Sequence, residues 1–168
     1  MKNIIIIGMP GSGKSTFGRA LALKTGRIFL DADDVLEARE KRSIKSFFAE
    51  SEDAFRAAET RTLKYLSALD NVVIATGGGA IKRPENMELL KKKGSVIFID
   101  RLPENIIGII EGDVRPLLAA DKKRIYQLYD ERIELYRRYA DYIAPNNGSK
   151  AECMAELEAY AEKINQES

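Results

Sequence analysis

Short, uniformly apolar runs alternate along this chain with longer stretches whose apolar positions recur at helical spacing. Residues 4–7 are four isoleucines closed by Gly8, the pattern of a strand buried on both faces. Residues 28–30, 72–75 and 96–99 repeat it, and 141–144 offer a short last strand. Between them the spacing predicts helices over 14–24, 31–42, 43–48, 52–69, 84–93, 103–110, 122–139 and 151–164. Gly26 stops the first of these, acidic residues open the second in accord with the helix dipole, and Pro84 sits at the start of the fifth. Residues 112–121 read as loop. Strands that alternate with helices imply βαβ units, so the expected class is α/β with a parallel sheet covered on both faces. No repeat or second-domain boundary appears, and residues 1–168 read as one domain.

Charge and composition narrow the function. With 27 basic and 26 acidic residues the net charge is +1, which gives no footprint for nucleic acid or an anionic membrane. No apolar stretch approaches the roughly 20 residues of a membrane span. The N-terminal run is too short for a signal peptide and meets a glycine loop instead of a cleavage site. A lone cysteine, Cys153, cannot form an intramolecular disulfide and reads as structural or surface, so a cytoplasmic protein is expected. The absence of histidine removes His-based triads, His general bases and His-ligated zinc.

The sharpest chemical signal is Gly8-Met9-Pro10-Gly11-Ser12-Gly13-Lys14-Ser15, which fits GxxxxGK[ST] in full and lies between a predicted strand and a predicted helix. Gly11, Ser12 and Gly13 let backbone N–H groups curl toward phosphate oxygens at a helix N-terminus. Lys14 reaches the β- and γ-phosphates, Ser15 offers a hydroxyl to Mg²⁺, and Thr16 assists near the α-phosphate. A nucleotide is therefore implied, though not the group that receives its phosphate.

Three further features bear on the acceptor. Asp31 and Asp33 follow the second strand, where ligands of open α/β sheets sit. Acidic residues are also common in a first helical turn, but next to a P-loop a carboxylate here orients a hydroxyl and takes its proton, or holds water on Mg²⁺. Thr76-Gly77-Gly78-Gly79 ends the third strand, where P-loop proteins usually place an acidic residue, so Asp31 or Asp33 must supply that charge. Three glycines suit a backbone that a ligand touches directly, beyond what a plain turn needs. Arg56, Arg115 and Arg137 are candidate forks for carboxylate or phosphate, Arg115 within the predicted loop as on a closing lid. Spacing alone does not distinguish them from solvated surface arginines.

In this order the motifs resemble the shikimate kinase family: the P-loop, Asp31-Ala32-Asp33, Ser43-Ile44, Phe55-Arg56 with Glu59, Gly77-Gly78-Gly79, Arg115-Pro116-Leu117-Leu118 and Leu135-Tyr136-Arg137. The resemblance implies a three-layer P-loop NTPase fold, like nucleoside monophosphate kinases, with a five-stranded parallel sheet ordered 2-3-1-4-5. It implies phosphorylation of the shikimate 3-hydroxyl by ATP with Mg²⁺, by a monomer whose partners are these small molecules. Lys14, Asp33 and Arg115 are then catalytic. Arg56 and Arg137 clamp the carboxylate, Gly77, Gly78 and Gly79 meet the substrate, and Ser15 and Asp31 serve the metal. Ile44, Phe48 and Phe55 wall the ring, within an acceptor region of about 31–62 and under a lid of about 112–122. The likeness weakens on the adenine side, where Ile107-Gly108-Ile109 stands in place of the family's frequent arginine and Pro145-Asn146-Asn147-Gly148 replaces a segment that is often basic or proline-containing. A gluconate-type kinase, a nucleotide kinase and a catalytically silent nucleotide-binding module are the competing readings. The missing histidine, the glycine triplet and the retained Lys14, Asp33 and Arg115 argue against each in turn.

Overall fold

A computed structural model describes residues 1–113 and 119–168. Five strands make one sheet: β1 (Asn3–Ile7), β2 (Ile28–Asp31), β3 (Val72–Ala75), β4 (Gly94–Asp100) and β5 (Tyr142–Pro145). All neighbours run parallel, in the order β2-β3-β1-β4-β5. β1 is central, and every one of its residues is buried. Its alternate side chains feed two cores, since Ile5 and Ile7 point to one face and Ile4 and Ile6 to the other. This explains why four consecutive isoleucines are tolerated without an exposed face. Asn3 is the polar exception, and both ends of its amide are bonded: Nδ2 donates to the Leu69 carbonyl at 2.8 Å and Oδ1 accepts from Val72 N at 3.1 Å, at the start of β3.

Helices cover both faces: α1 (Lys14–Thr25), α2 (Ala32–Glu40), α3 (Ile44–Glu50), α4 (Glu52–Ser67), α5 (Pro84–Lys91), α6 (Pro103–Asp113), α7 (Ala119–Tyr139) and α8 (Lys150–Gln166). Serines 43, 51 and 149 cap α3, α4 and α8 through their hydroxyls, each accepting from the N–H three residues on. Gly26 closes α1 in the left-handed conformation. A satellite cluster of Leu36, Phe47, Phe55 and Ala58 ties α2, α3 and α4 together beside the sheet.

The expected elements are present with shifted ends. Residues 80–82 form a short 3-10 turn that the pattern did not predict. The expected loop over 112–121 gives residues 112 and 113 to α6, which runs on to Asp113, and residues 119–121 to α7, which begins at Ala119. Its remaining residues, including Arg115 of the expected lid, lie outside the described residues.

Candidate active site

The P-loop joins β1 to α1 at the carboxyl edge of the sheet. Gly13 has φ 101°, a left-handed conformation that turns the chain into α1 and that a side chain would strain. Ser12 is buried beneath the loop, while Gly11 and Thr16 are exposed at its mouth. Lys14 Nζ donates to the carbonyls of Gly8 and Met9, both at 2.8 Å. Burial lowers the Lys14 pKa to about 8, against the opposing pull of the Asp33 and Asp31 carboxylates.

Asp31 is held by both of its oxygens. Oδ1 caps α2 by accepting from Asp33 N at 3.0 Å and Asp34 N at 3.3 Å, and Oδ2 accepts from Ser15 Oγ at 2.6 Å. The P-loop hydroxyl and the carboxylate at the end of β2 therefore form one rigid oxygen pair. Thr76, at the end of β3, is satisfied elsewhere, since its hydroxyl donates to the Ile6 carbonyl at 2.9 Å. The carboxylate that lies against the P-loop hydroxyl is thus the one at the end of β2, and β3 offers none there.

Beside the P-loop lies a cavity of about 360 Å³, lined among others by Pro10, Asp33, Ile44, Phe48, Phe55, Arg56, Glu59, Gly77, Gly78, Gly79 and Arg132. That volume suits a ligand of one small ring. One wall is apolar, built from Ile44, Phe48 and Phe55, with the two phenylalanine rings 4.4 Å apart. The charged lining borders it, with the Arg56 guanidinium carbon 5.0 Å from the Phe55 ring centroid. Arg56 is buried, and its Nη1 meets Glu59 Oε1 at 2.9 Å and its Nε meets Glu52 Oε1 at 3.4 Å. Burial raises the Glu59 carboxyl, and Arg56 pulls it back. The Asp33 carboxyl is raised chiefly by burial and also by Asp31, while Lys14 draws it down. A carboxylate kept basic in this way, near the P-loop lysine and in a cavity that Arg56 and Arg132 also line, is equipped to accept a proton from a bound hydroxyl.

The sequence model of one family, described as shikimate kinase, matches residues 10–165. A shikimate kinase of Clostridium botulinum (strain Eklund 17B / Type B) is 44% identical over 158 residues, covering 94% of this chain and 96% of that protein. The chain belongs to the shikimate kinase family. A bifunctional shikimate kinase/3-dehydroquinate synthase of Thermotoga maritima is 41% identical over 81% of this chain, which spans 28% of that longer protein. Among solved structures, the shikimate kinase from Acinetobacter baumannii in complex with shikimate superposes with a TM-score of 0.86 at 32% identity, covering 100% of this chain and 95% of that one. A gluconokinase from Sinorhizobium meliloti has a TM-score of 0.66 at 18% identity, a likeness of fold alone.

Against this shikimate kinase frame, the site residues expected from the sequence fall into two groups. Lys14, Ser15, Asp31, Asp33, Arg56 and the three glycines converge around the P-loop and the cavity. Arg137 does not. It is exposed and does not line the cavity. The buried arginine of α7 is Arg132, which lines the cavity and acts electrostatically on Lys14 and Glu59. Five residues separate the two, a rotation of about 140° around a helix, so they cannot serve the same face. Sequence reading missed Arg132. A signal was available in the stripe Arg124, Leu128, Arg132 and Tyr136, spaced four apart. Lys82 and Glu52 at the rim, paired at 2.7 Å, were also missed. Cys153 is a buried core residue whose thiol is pushed up to about 11 by burial, which leaves it unreactive. Among the described residues, no helix is long and apolar enough to cross a membrane.

Proposed function

We propose that this chain transfers the γ-phosphoryl group of ATP to the 3-hydroxyl of shikimate, giving shikimate 3-phosphate and ADP. One observation carries the reading: Asp33, Arg56 and Arg132 line a single one-ring cavity that abuts Lys14 of the P-loop. An acceptor with a carboxylate at one end and a hydroxyl at the other fits that charge pattern. Arg56 and Arg132 hold the carboxylate as planar donors, and Glu59 fixes the Arg56 fork. Asp33 orients the hydroxyl and takes its proton as the oxygen attacks. The apolar wall of Ile44, Phe48 and Phe55 packs against the ring, and the backbone of Gly77, Gly78 and Gly79 approaches its polar edge.

Gly11, Ser12, Gly13, Lys14, Ser15 and Thr16 bind the nucleotide phosphates, with Lys14 following the charge that moves to the leaving oxygen. Ser15 and Asp31 would hold Mg²⁺, and their all-oxygen pair fits a hard cation that shares its remaining positions with water and substrate phosphate. When bound, the ion neutralises phosphate charge. Arg115 is assigned, from the family resemblance, the role of bridging nucleotide phosphate and acceptor. The enzyme works as a monomeric kinase domain in the cytoplasm, where ATP is available.

The test is ADP release with ATP and Mg²⁺ against shikimate, quinate, gluconate, AMP and CMP. Turnover with shikimate alone is the expected result. Turnover with another acceptor keeps the kinase and removes this substrate. No turnover on any of them, with nucleotide still bound, leaves a binding module.

A further inference from the structure

Next to the acceptor cavity, against the glycine triplet, lies a buried tyrosine that does not line it. Tyr136 is fully buried in α7, and its ring stacks on Phe98 of β4 with centroids 5.0 Å apart and planes inclined by 20°. Its hydroxyl donates to the Gly78 carbonyl at 2.5 Å, a bond that joins α7 to the glycine triplet 58 residues earlier. In α7 only Arg132 and Tyr136 are buried. They lie one turn apart, on the stripe that also carries Leu128 and Arg124 into the cavity wall.

We propose that Tyr136 is a positioning residue for the acceptor site, its hydroxyl acting as a latch that sets the Gly78–Gly79 peptide and the depth of Arg132 together. This rests on the acceptor reading given above. Two consequences follow from the one hydrogen bond. A trans peptide is planar, so holding the Gly78 carbonyl fixes the direction of the Gly79 N–H, which runs opposite to it. The same bond anchors α7 one turn beyond Arg132, whose Nη1 lies 3.2 Å from where a side-chain carbon on Gly78 would sit. The Arg132 guanidinium also acts on the Tyr136 hydroxyl by its charge. Guanidinium, phenol and glycine carbonyl thus form one connected unit. Burial pushes the phenol up to about 12, so it remains a donor throughout the working pH range.

The experiment compares wild type with Tyr136→Phe and Phe98→Leu. Shikimate and ADP affinities are measured by calorimetry, and melting temperature is recorded for each. Tyr136→Phe keeps the ring and its stacking and loses only the hydroxyl. Its shikimate affinity is expected to fall about tenfold, the effect of one lost hydrogen bond, with ADP affinity retained. Phe98→Leu loosens the packing and keeps the hydroxyl, so it is expected to lower the melting temperature while shikimate affinity stays within about twofold. Unchanged shikimate affinity in Tyr136→Phe overturns the latch. So does an equal loss in Phe98→Leu, which would make the effect one of general packing. Wild type that fails to bind shikimate at all overturns the acceptor reading and the latch with it.

Discussion

Replacing Gly79 with alanine tests the acceptor site through a single methyl group. Gly79 has φ −99° and ψ 10°, a conformation open to any residue, so the backbone does not require glycine there. The requirement is space. An added Cβ would overlap Arg56 Nη2 and lie 2.6 Å from Nη1 and 2.7 Å from Cζ. To reach ordinary contact the guanidinium must retreat by about 1 Å. Arg56 has little freedom to do so, because it is buried and bonded to Glu59 at 2.9 Å. Losing one hydrogen bond to a charged group costs about 1.5–3 kcal/mol, or roughly 10- to 150-fold in acceptor affinity. The assay is the KM for shikimate measured against the KM for ATP, together with calorimetric binding of shikimate alone. The shikimate values should rise by that factor while the ATP value holds. Gly108→Ala is the control, since a Cβ there meets nothing within 4 Å in α6. It should leave both constants unchanged and add about 0.5–1 kcal/mol of stability by removing a helical glycine. An unchanged shikimate KM in Gly79→Ala would refute the claim that Arg56 is held in place against this glycine.

Three other perturbations have defined signs. Asp33→Asn should lower turnover by about 10²- to 10⁴-fold with ADP binding retained. It should also raise the melting temperature at pH 7: the folded pKa of Asp33 lies above its unfolded value, so ionisation costs stability that a neutral amide recovers, and a lower melting temperature would contradict this. Lys14 is lowered to about 8 when the phosphate site is free, and a bound phosphate favours the charged ammonium. ADP binding must therefore take up a proton above pH 8, and affinity should fall by up to about tenfold per pH unit there and stay flat in Lys14→Met, as titration calorimetry would show. Arg132→Ala should weaken shikimate binding by at least about tenfold, whereas Arg137→Ala should change it by less than about twofold. The reverse order would restore the clamp to the exposed arginine.

Much of this protein is legible in its sequence because the signals are local. The four isoleucines of β1, β-branched and closed by Gly8, suit a strand covered on both faces, and Gly13 next to Lys14 suits the left-handed turn that starts α1. Asp31 and Asp33 were readable because the end of a parallel strand is where such sheets place their ligands. The choice between Arg132 and Arg137 was readable only as the four-residue spacing of Arg132 with Arg124, Leu128 and Tyr136, which does not say which stripe of the helix faces the cavity. Both lie in the C-terminal half of one amphipathic helix, and which face meets the cavity depends on how Tyr136 seats α7 against β4 and the glycine triplet. The need for Gly79 was half readable: three glycines announced a close approach, but only the fold shows that it is Arg56 of α4 that comes near. The sequence by itself determined the periodicities, the caps and the phosphate loop, since each is a demand made by neighbouring residues on their own backbone. The tertiary structure decided which charged side chains face one another, because that rests on contacts between helices far apart in the chain, where a rotation of α7 by about 140° would exchange the buried Arg132 for the exposed Arg137.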